Sequence, residues 1–198
     1  MRAASSCIRL DKAESDLSTR DSRQGGLQGV SVTIDTVMAM PIGDDKTELE
    51  ARQDPRLLRA LDSVAPGTPL REGIDNIIHA RTGGLILVAE ADEVSFLFSG
   101  GIRLDVDYSP ALLYQLAKMD GAIVLEPESN RICWANVQLM PDPTILSMET
   151  GTRHRTAERV SKQTKALVVA VSQRRDVVSL YVEGMKYILA DISSVLSK

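Results

Sequence analysis

The chain has 198 residues, 43% of them hydrophobic and 25% charged, a globular composition with room for one domain of about 150 residues plus a tail. A net charge of −4 and a pI near 5.3 exclude a whole-surface polyanion binder, so any phosphate chemistry must be local. All the aromatic residues lie after position 95, which argues against a base-stacking platform for nucleic acid.

Residues 1–37 mix Ser, Gly, Gln and alternating charges without periodicity and read as a flexible tail; Val32, Ile34 and Val37 suggest at most a short strand, and Met38 or Met40 is an alternative translation start. The tail is taken as residues 1–53 and the folded domain as 54–198. Asp54-Pro55 opens a helix with Leu57, Leu58, Leu61 and Val64 on one face. Thr68-Pro69 opens a second, with Leu70, Ile74, Ile77 and Ile78 at helical spacing and a stop at Gly83-Gly84. The period then changes. Leu85 to Ala89 is an unbroken apolar run, as in a strand covered on both faces, and Val94 to Phe98 and Ile102 to Val106 read as shorter strands around Gly100-Gly101.

Ser109-Pro110 starts a third helix, with Leu112, Leu113, Leu116 and Met119 on its buried side, ending at Asp120-Gly121. Ala122 to Leu125 is a short buried strand, and Arg131 to Leu139 places Cys133, Ala135, Val137 and Leu139 on one face by period two. After a proline-bearing loop, Thr152 to about Thr164 reads as a helix and Leu167 to Val171 as a buried strand. Val177 to Val182 and Met185 to Leu189 form a hairpin around Glu183-Gly184. The expected fold class is α/β: a single domain with a central mixed β-sheet flanked by helices. Cys7 and Cys133 are too far apart to suggest a disulfide framework and read as reduced thiols. No apolar run nears the ~18 residues of a membrane span, and the N-terminus lacks a signal-peptide core, so a cytoplasmic protein without a membrane partner is expected.

Between Gly151 and Arg175 stand seven basic residues, Arg153, Arg155, Arg159, Lys162, Lys165, Arg174 and Arg175, against the single acid Glu158. Thr152-Arg153-His154-Arg155-Thr156 sits where a loop enters a helix. Backbone N–H groups, the helix dipole, two guanidinium groups and two hydroxyls can converge there on phosphate oxygens. The alternative is a solvated basic face. Asp120-Gly121-Ala122 joins a helix to a buried strand; Asp-Gly is ordinary turn chemistry, but a carboxylate facing an arginine-rich phosphate site would hold Mg²⁺ or Mn²⁺ and activate a hydroxyl nucleophile. His154, between two arginines, suits a neutral imidazole contacting phosphate better than a general acid, and His79 is an ordinary boundary residue. Ser172 follows a buried strand and either closes a turn or reaches the same site. Metal-ligand spacing, a P-loop and a Ser-His-Asp set are absent, and Gly83-Gly84 and Gly100-Gly101 lack the pattern of a phosphate cradle.

Asp120-Gly121-Ala122 and Arg153-His154-Arg155, within the runs KMDGAIVL and ETGTRHRTAERVSKQT, resemble the diadenylate cyclase family. The resemblance extends from about Leu57 to Lys198 and leans toward the N-terminal domain of DNA integrity scanning proteins. It implies the diadenylate cyclase fold and the condensation of two ATP into the bacterial second messenger cyclic di-AMP, with release of two pyrophosphates, between two domains meeting face to face. Asp120 would then bind the Mg²⁺ or Mn²⁺ and activate a 3′-hydroxyl, with Gly121 and Ala122 admitting the nucleotide to the backbone. Leu139 would lie against adenine, Thr152, Arg153, His154, Arg155 and Thr156 would hold phosphates, and Ser172 would assist. Some relatives carry histidine where Met119 stands, so a histidine-ligated metal is not implied. Self-association is expected, at least as a face-to-face dimer and with an octamer as the larger alternative. DNA binding is not expected of this chain, because it ends at Lys198, where scanning proteins continue into a helical spine and a helix-hairpin-helix domain. The reading of a different class is a non-catalytic module that binds ATP or cyclic di-AMP, or scaffolds an oligomer.

Overall fold

The computed structural model describes residues 38–39, 55–174 and 177–189. Most of the expected tail, including Val32, Ile34 and Val37, and also Cys7 and Arg175, lie outside the described residues. Its strands join one mixed sheet in the order β1-β9-β8-β7-β2-β5-β6-β3, with β4 also paired to β6. They are β1 (Met38–Ala39), β2 (Gly84–Val88), β3 (Phe98–Ser99), β4 (Ile102–Asp107), β5 (Ala122–Glu126), β6 (Arg131–Leu139), β7 (Leu167–Val171), β8 (Val178–Val182) and β9 (Met185–Leu189). Only β2 and β5 run parallel, in the register Leu85↔Ala122 to Val88↔Leu125; the other pairs are antiparallel.

Helices cover both faces, which is why β2, β5 and β7 are apolar without alternation. On one side pack α1 (Pro55–Ser63), α2 (Pro69–His79) and α4 (Pro110–Leu116). Leu57, Ile74, Ile77 and Leu113 from these helices meet Ile86, Ile123, Val169 and Leu180 from the sheet. On the other side α3 (Ala91–Val94), the 3₁₀ turn Ser95–Leu97 and α5 (Thr152–Gln163) bring Val94, Leu97, Ala157 and Val160 onto Leu87, Val124, Val168 and Tyr181. The caps follow the sequence: Thr68 accepts from the Arg71 N–H at 3.2 Å and Ser109 from the Leu112 N–H at 3.2 Å, each ahead of a proline at the helix start. The β8–β9 hairpin turns on Glu183 and Gly184, with φ of 48° and 82°, the two positive values that a two-residue turn of the I′ type requires.

Four local expectations are corrected. Val94 to Phe98 is not a strand: helix and 3₁₀ turn run from Ala91 to Leu97, leaving Phe98–Ser99 as β3. Helix α2 stops at His79, and Arg81 with φ of 53° takes the left-handed position assigned to Gly83-Gly84. Helix α4 stops at Leu116, so Met119 lies in the following turn, 40% exposed. Strand β6 does not keep one face: Ile132 and Ala135 join the first core, Val137 and Leu139 the second. Register shifts against β5, between Ala122 and Leu125, let β6 carry extra residues, and Asn136 sits at φ of 54°, so period two fails.

This bulge predicts a side-chain dependence. Asn136 is exposed, so little packing is lost on substitution. Asn136→Gly should be tolerated, whereas Asn136→Val should lower unfolding stability by about 1–2 kcal/mol, the cost of left-handed backbone for a β-branched residue that lacks the local hydrogen bonding by which asparagine tolerates it, as read by urea denaturation. Equal stability of the two variants would contradict the bulge geometry.

Candidate active site

Because β2 and β5 are parallel and β6, β7 and β9 run against their neighbours, one sheet edge gathers the amino ends of β2, β5 and β8 and the carboxyl ends of β6, β7 and β9. Beyond it, under the start of α5, opens a cavity of about 790 Å³, within the range of small-ligand sites. Its lining includes nine of the residues singled out from the sequence: Asp120, Gly121, Ala122, Leu139, Thr152, Arg153, His154, Thr156 and Ser172. Leu85, Ala122, Val137 and Leu139 make an apolar wall, all buried in the second core.

Helix α5 begins at Gly151 without a side-chain cap and without an acidic residue in its first turn. Its amide dipoles therefore add positive potential to that of its arginines. The Arg153 Nη2 donates to Asp120 Oδ1 at 3.1 Å, and the Asp120 side chain is 96% exposed. This pair spans 33 residues of sequence and brings the Asp-Gly-Ala turn against the basic helix start. Gly121 has a packing reason of its own: a Cβ there would fall 2.5 Å from the Asn136 carbonyl carbon, so the β6 bulge and the Asp120 turn fit only through glycine.

The basic helix divides its labour. Arg155 is outside the cavity lining; its Nε donates to the Glu149 carbonyl at 3.3 Å and its Nη2 to the Thr150 carbonyl at 3.5 Å. Arg159 Nε donates to Ile145 O at 2.9 Å and Lys162 Nζ to Leu146 O at 2.8 Å. Buried Glu158 accepts from Ser147 Oγ at 2.6 Å, the Met148 N–H at 3.1 Å and Lys162 Nζ at 2.6 Å. Three of the basic side chains thus fasten the loop before the helix, which the composition of the segment does not reveal.

Sequence reasoning also missed Glu149, Ser179 and Lys186 on the cavity wall. Lys186 Nζ donates to Glu149 Oε1 at 2.7 Å, as does the Tyr181 hydroxyl at 2.9 Å. Tyr181 in turn lies edge-on to His154, with ring centroids 6.3 Å apart. No short-range pattern joins residues more than 30 positions apart, so nothing in the sequence flagged them. Burial acts to raise the Glu149 and Glu158 carboxyls. For Glu149 the hydrogen bonds from Lys186 and Tyr181 outweigh it; for Glu158 those from Lys162 and Ser147 do, and both carboxyls sit below the usual glutamate range. Burial, then the Glu149 carboxylate, pushes the Tyr181 phenol far up.

Among the described residues no group of three or more His, Cys, Asp or Glu is gathered to hold a metal ion. An all-protein cage for a transition metal therefore does not fit. A hard divalent cation held by the one carboxylate of Asp120 together with oxygens of a bound phosphate ligand does fit, because Mg²⁺ is commonly bound in that way.

Depressed carboxyl pKa values link pH to stability. The folded-state pKa of Glu158 lies below its unfolded value, so its contribution is complete above about pH 4.3 and is lost as pH falls through the folded value. Thermal midpoints should therefore drop on acidification below about pH 4.3, and Glu158→Gln should flatten that dependence while making the loop 142–150 easier to cleave at neutral pH. An unchanged pH profile in the variant would contradict the anchoring role.

The chain is similar over most of its length to known proteins. The family model for the nucleotide-binding domain of the DisA bacterial checkpoint controller matches residues 71–186. The DNA integrity scanning protein DisA of Carboxydothermus hydrogenoformans is 56% identical over 146 residues, which are 74% of this chain and 42% of that protein. That of Bacillus subtilis is 53% identical over 154 residues, 78% of this chain and 43% of that protein. This chain thus spans less than half the length of these relatives. Among solved structures, a hypothetical membrane-spanning protein from Bacillus cereus superposes with a TM-score of 0.58 at 22% identity, covering 74% of this chain and 76% of that one. A double mutant of DacA from Staphylococcus aureus gives 0.52 at 22% identity, covering 70% and 91%. No helix among the described residues is long and apolar enough to cross a membrane. With the family model matched over more than half of its length, the chain belongs to the DisA-type diadenylate cyclase (DAC) domain family.

Proposed function

We propose that the cavity binds ATP and that two chains, meeting with their cavities face to face, condense two ATP into cyclic di-AMP and two pyrophosphates. The observation that carries this reading is the Asp120–Arg153 pair, a carboxylate and a guanidinium 3.1 Å apart at a cavity with one apolar wall and one helix amino end. The parts suit a nucleotide: apolar Leu139 and Val137 for the base, and Arg153, Thr152, Thr156 and the first-turn amides of α5 for the phosphates.

In each half-reaction the 3′-hydroxyl of one nucleotide forms a bond to the α-phosphorus of the other, the bond to pyrophosphate breaks, and the hydroxyl proton departs. In this reading Asp120 orients the hydroxyl and draws off that proton. Mg²⁺ or Mn²⁺ at Asp120 would supply Lewis-acid charge that acidifies the hydroxyl and offsets the charge on the departing pyrophosphate. Arg153, freed from Asp120 when phosphate enters, stabilises charge on the reacting phosphoryl oxygens. A cavity holding one ATP cannot supply the second, so a two-fold contact between chains is required, with the reacting atoms brought to roughly 3–3.5 Å.

Incubating the purified chain with ATP and Mn²⁺ should yield cyclic di-AMP and pyrophosphate, detected by mass. Asp120→Asn should lower the yield by at least ~100-fold with a smaller change in ATP affinity. Specific activity at saturating ATP should rise with chain concentration to a plateau. Tight ATP binding without product at any concentration would overturn the catalytic reading in favour of a binding module.

A further inference from the structure

The glycine pair after α2 does not end that helix, which leaves its use to be explained. Gly83 immediately precedes β2, at the sheet edge that carries the cavity. A Cβ built on Gly83 would fall 2.3 Å from Nη1 and 3.2 Å from Cζ of Arg153, and 3.3 Å from the Val171 carbonyl oxygen. The guanidinium therefore lies on the bare backbone of Gly83. Its other terminal nitrogen, Nη2, reaches Asp120. Gly83 is not among the residues with positive φ, so a left-handed backbone does not call for glycine here, and what glycine contributes is its missing side chain. Gly84 is different: a Cβ there meets only ordinary contacts with Ile77 and Ala117, at 3.6 Å or more.

We infer that Gly83 is a positioning residue for Arg153, a seat that holds the guanidinium across the cavity mouth where it faces phosphate and Asp120. The inference rests on the proposed ATP site for its functional consequence but not for its geometry. Two features separate it from a plain structural role. The atom that a methyl group would strike is the tip of a long, partly exposed side chain, which can swing away, so Gly83→Ala should fold. The nearest backbone atom to the methyl, the Val171 oxygen at 3.3 Å, has to give by a few tenths of an ångström. The damage should thus be confined to where Arg153 points.

The test is a double-mutant cycle on the full chain with Gly83→Ala and Arg153→Ala, read by the affinity for 3′-deoxy-ATP, which lacks the attacking hydroxyl, and by KM and kcat for ATP. Gly83→Ala should weaken nucleotide binding roughly tenfold or more, the scale of a charge-assisted hydrogen bond lost, at an unchanged melting temperature. In the Arg153→Ala background the same change should alter affinity by less than about twofold, since contacting residues are not additive. The Nε–H resonance of Arg153 should also shift in Gly83→Ala without any nucleotide. Equal effects of Gly83→Ala in both backgrounds, or an unmoved Arg153 resonance, would overturn the seating. If Gly83→Ala fails to fold, rescue of folding by Arg153→Ala supports the seating and failure of rescue overturns it. A parent chain that binds no nucleotide, with the Arg153 resonance still shifting in the variant, would instead sink the ATP reading alone.

Discussion

The parallel pairing of β2 with β5 is the constraint on which the rest of the molecule depends. Its register sets Leu85 opposite Ala122, so the turns entering the two strands, at Gly83 and at Asp120-Gly121, emerge side by side. Antiparallel pairing then returns β6 and β7 to the same edge, delivering Leu139 and Ser172. In open α/β sheets ligands usually gather beyond the carboxyl ends of parallel strands. Here the cavity lies beyond the amino ends of the parallel pair, an arrangement open to a mixed sheet because its antiparallel neighbours bring their carboxyl ends there.

Helix α5 turns that edge into an electrostatic site. Arginines in a first turn oppose the helix dipole, and the fold meets that cost in two ways. Arg155, together with Arg159 and Lys162 farther along, gives its charge to loop carbonyls and, through Lys162, to buried Glu158. Arg153 alone of the first-turn pair is left facing the cavity, where an exposed carboxylate partners it. An ion pair this exposed contributes little to stability; under the proposed function its value is that it holds two charged groups where a phosphate would part them.

Much of this was legible in the sequence, for identifiable reasons. Strands covered on both faces announce themselves as unbroken apolar runs, and the Thr68-Pro69 and Ser109-Pro110 starts carry their own caps, so the layered α/β order followed directly. The motif residues around Asp120 and Arg153 both stand at element boundaries, but it was the family resemblance that paired them. What escaped was set by single backbone torsions or by distant partners. One left-handed residue, Asn136, breaks the period of β6; α3 is too short for a helical period to show. Glu149 and Lys186 meet only because β9 closes a hairpin. Arg155 shares its motif with Arg153 but not its direction, and a basic run does not say which of its members face a loop.

We propose that this cavity is where ATP is held for condensation. Titration calorimetry of 3′-deoxy-ATP, with Mg²⁺ present, tests it most directly, because binding is read without turnover. Binding should saturate at one nucleotide per chain, with affinity falling at least about tenfold in Arg153→Ala while the variant keeps the melting temperature of the parent. Binding that is absent from the folded parent, or that survives Arg153→Ala unchanged, would contradict it.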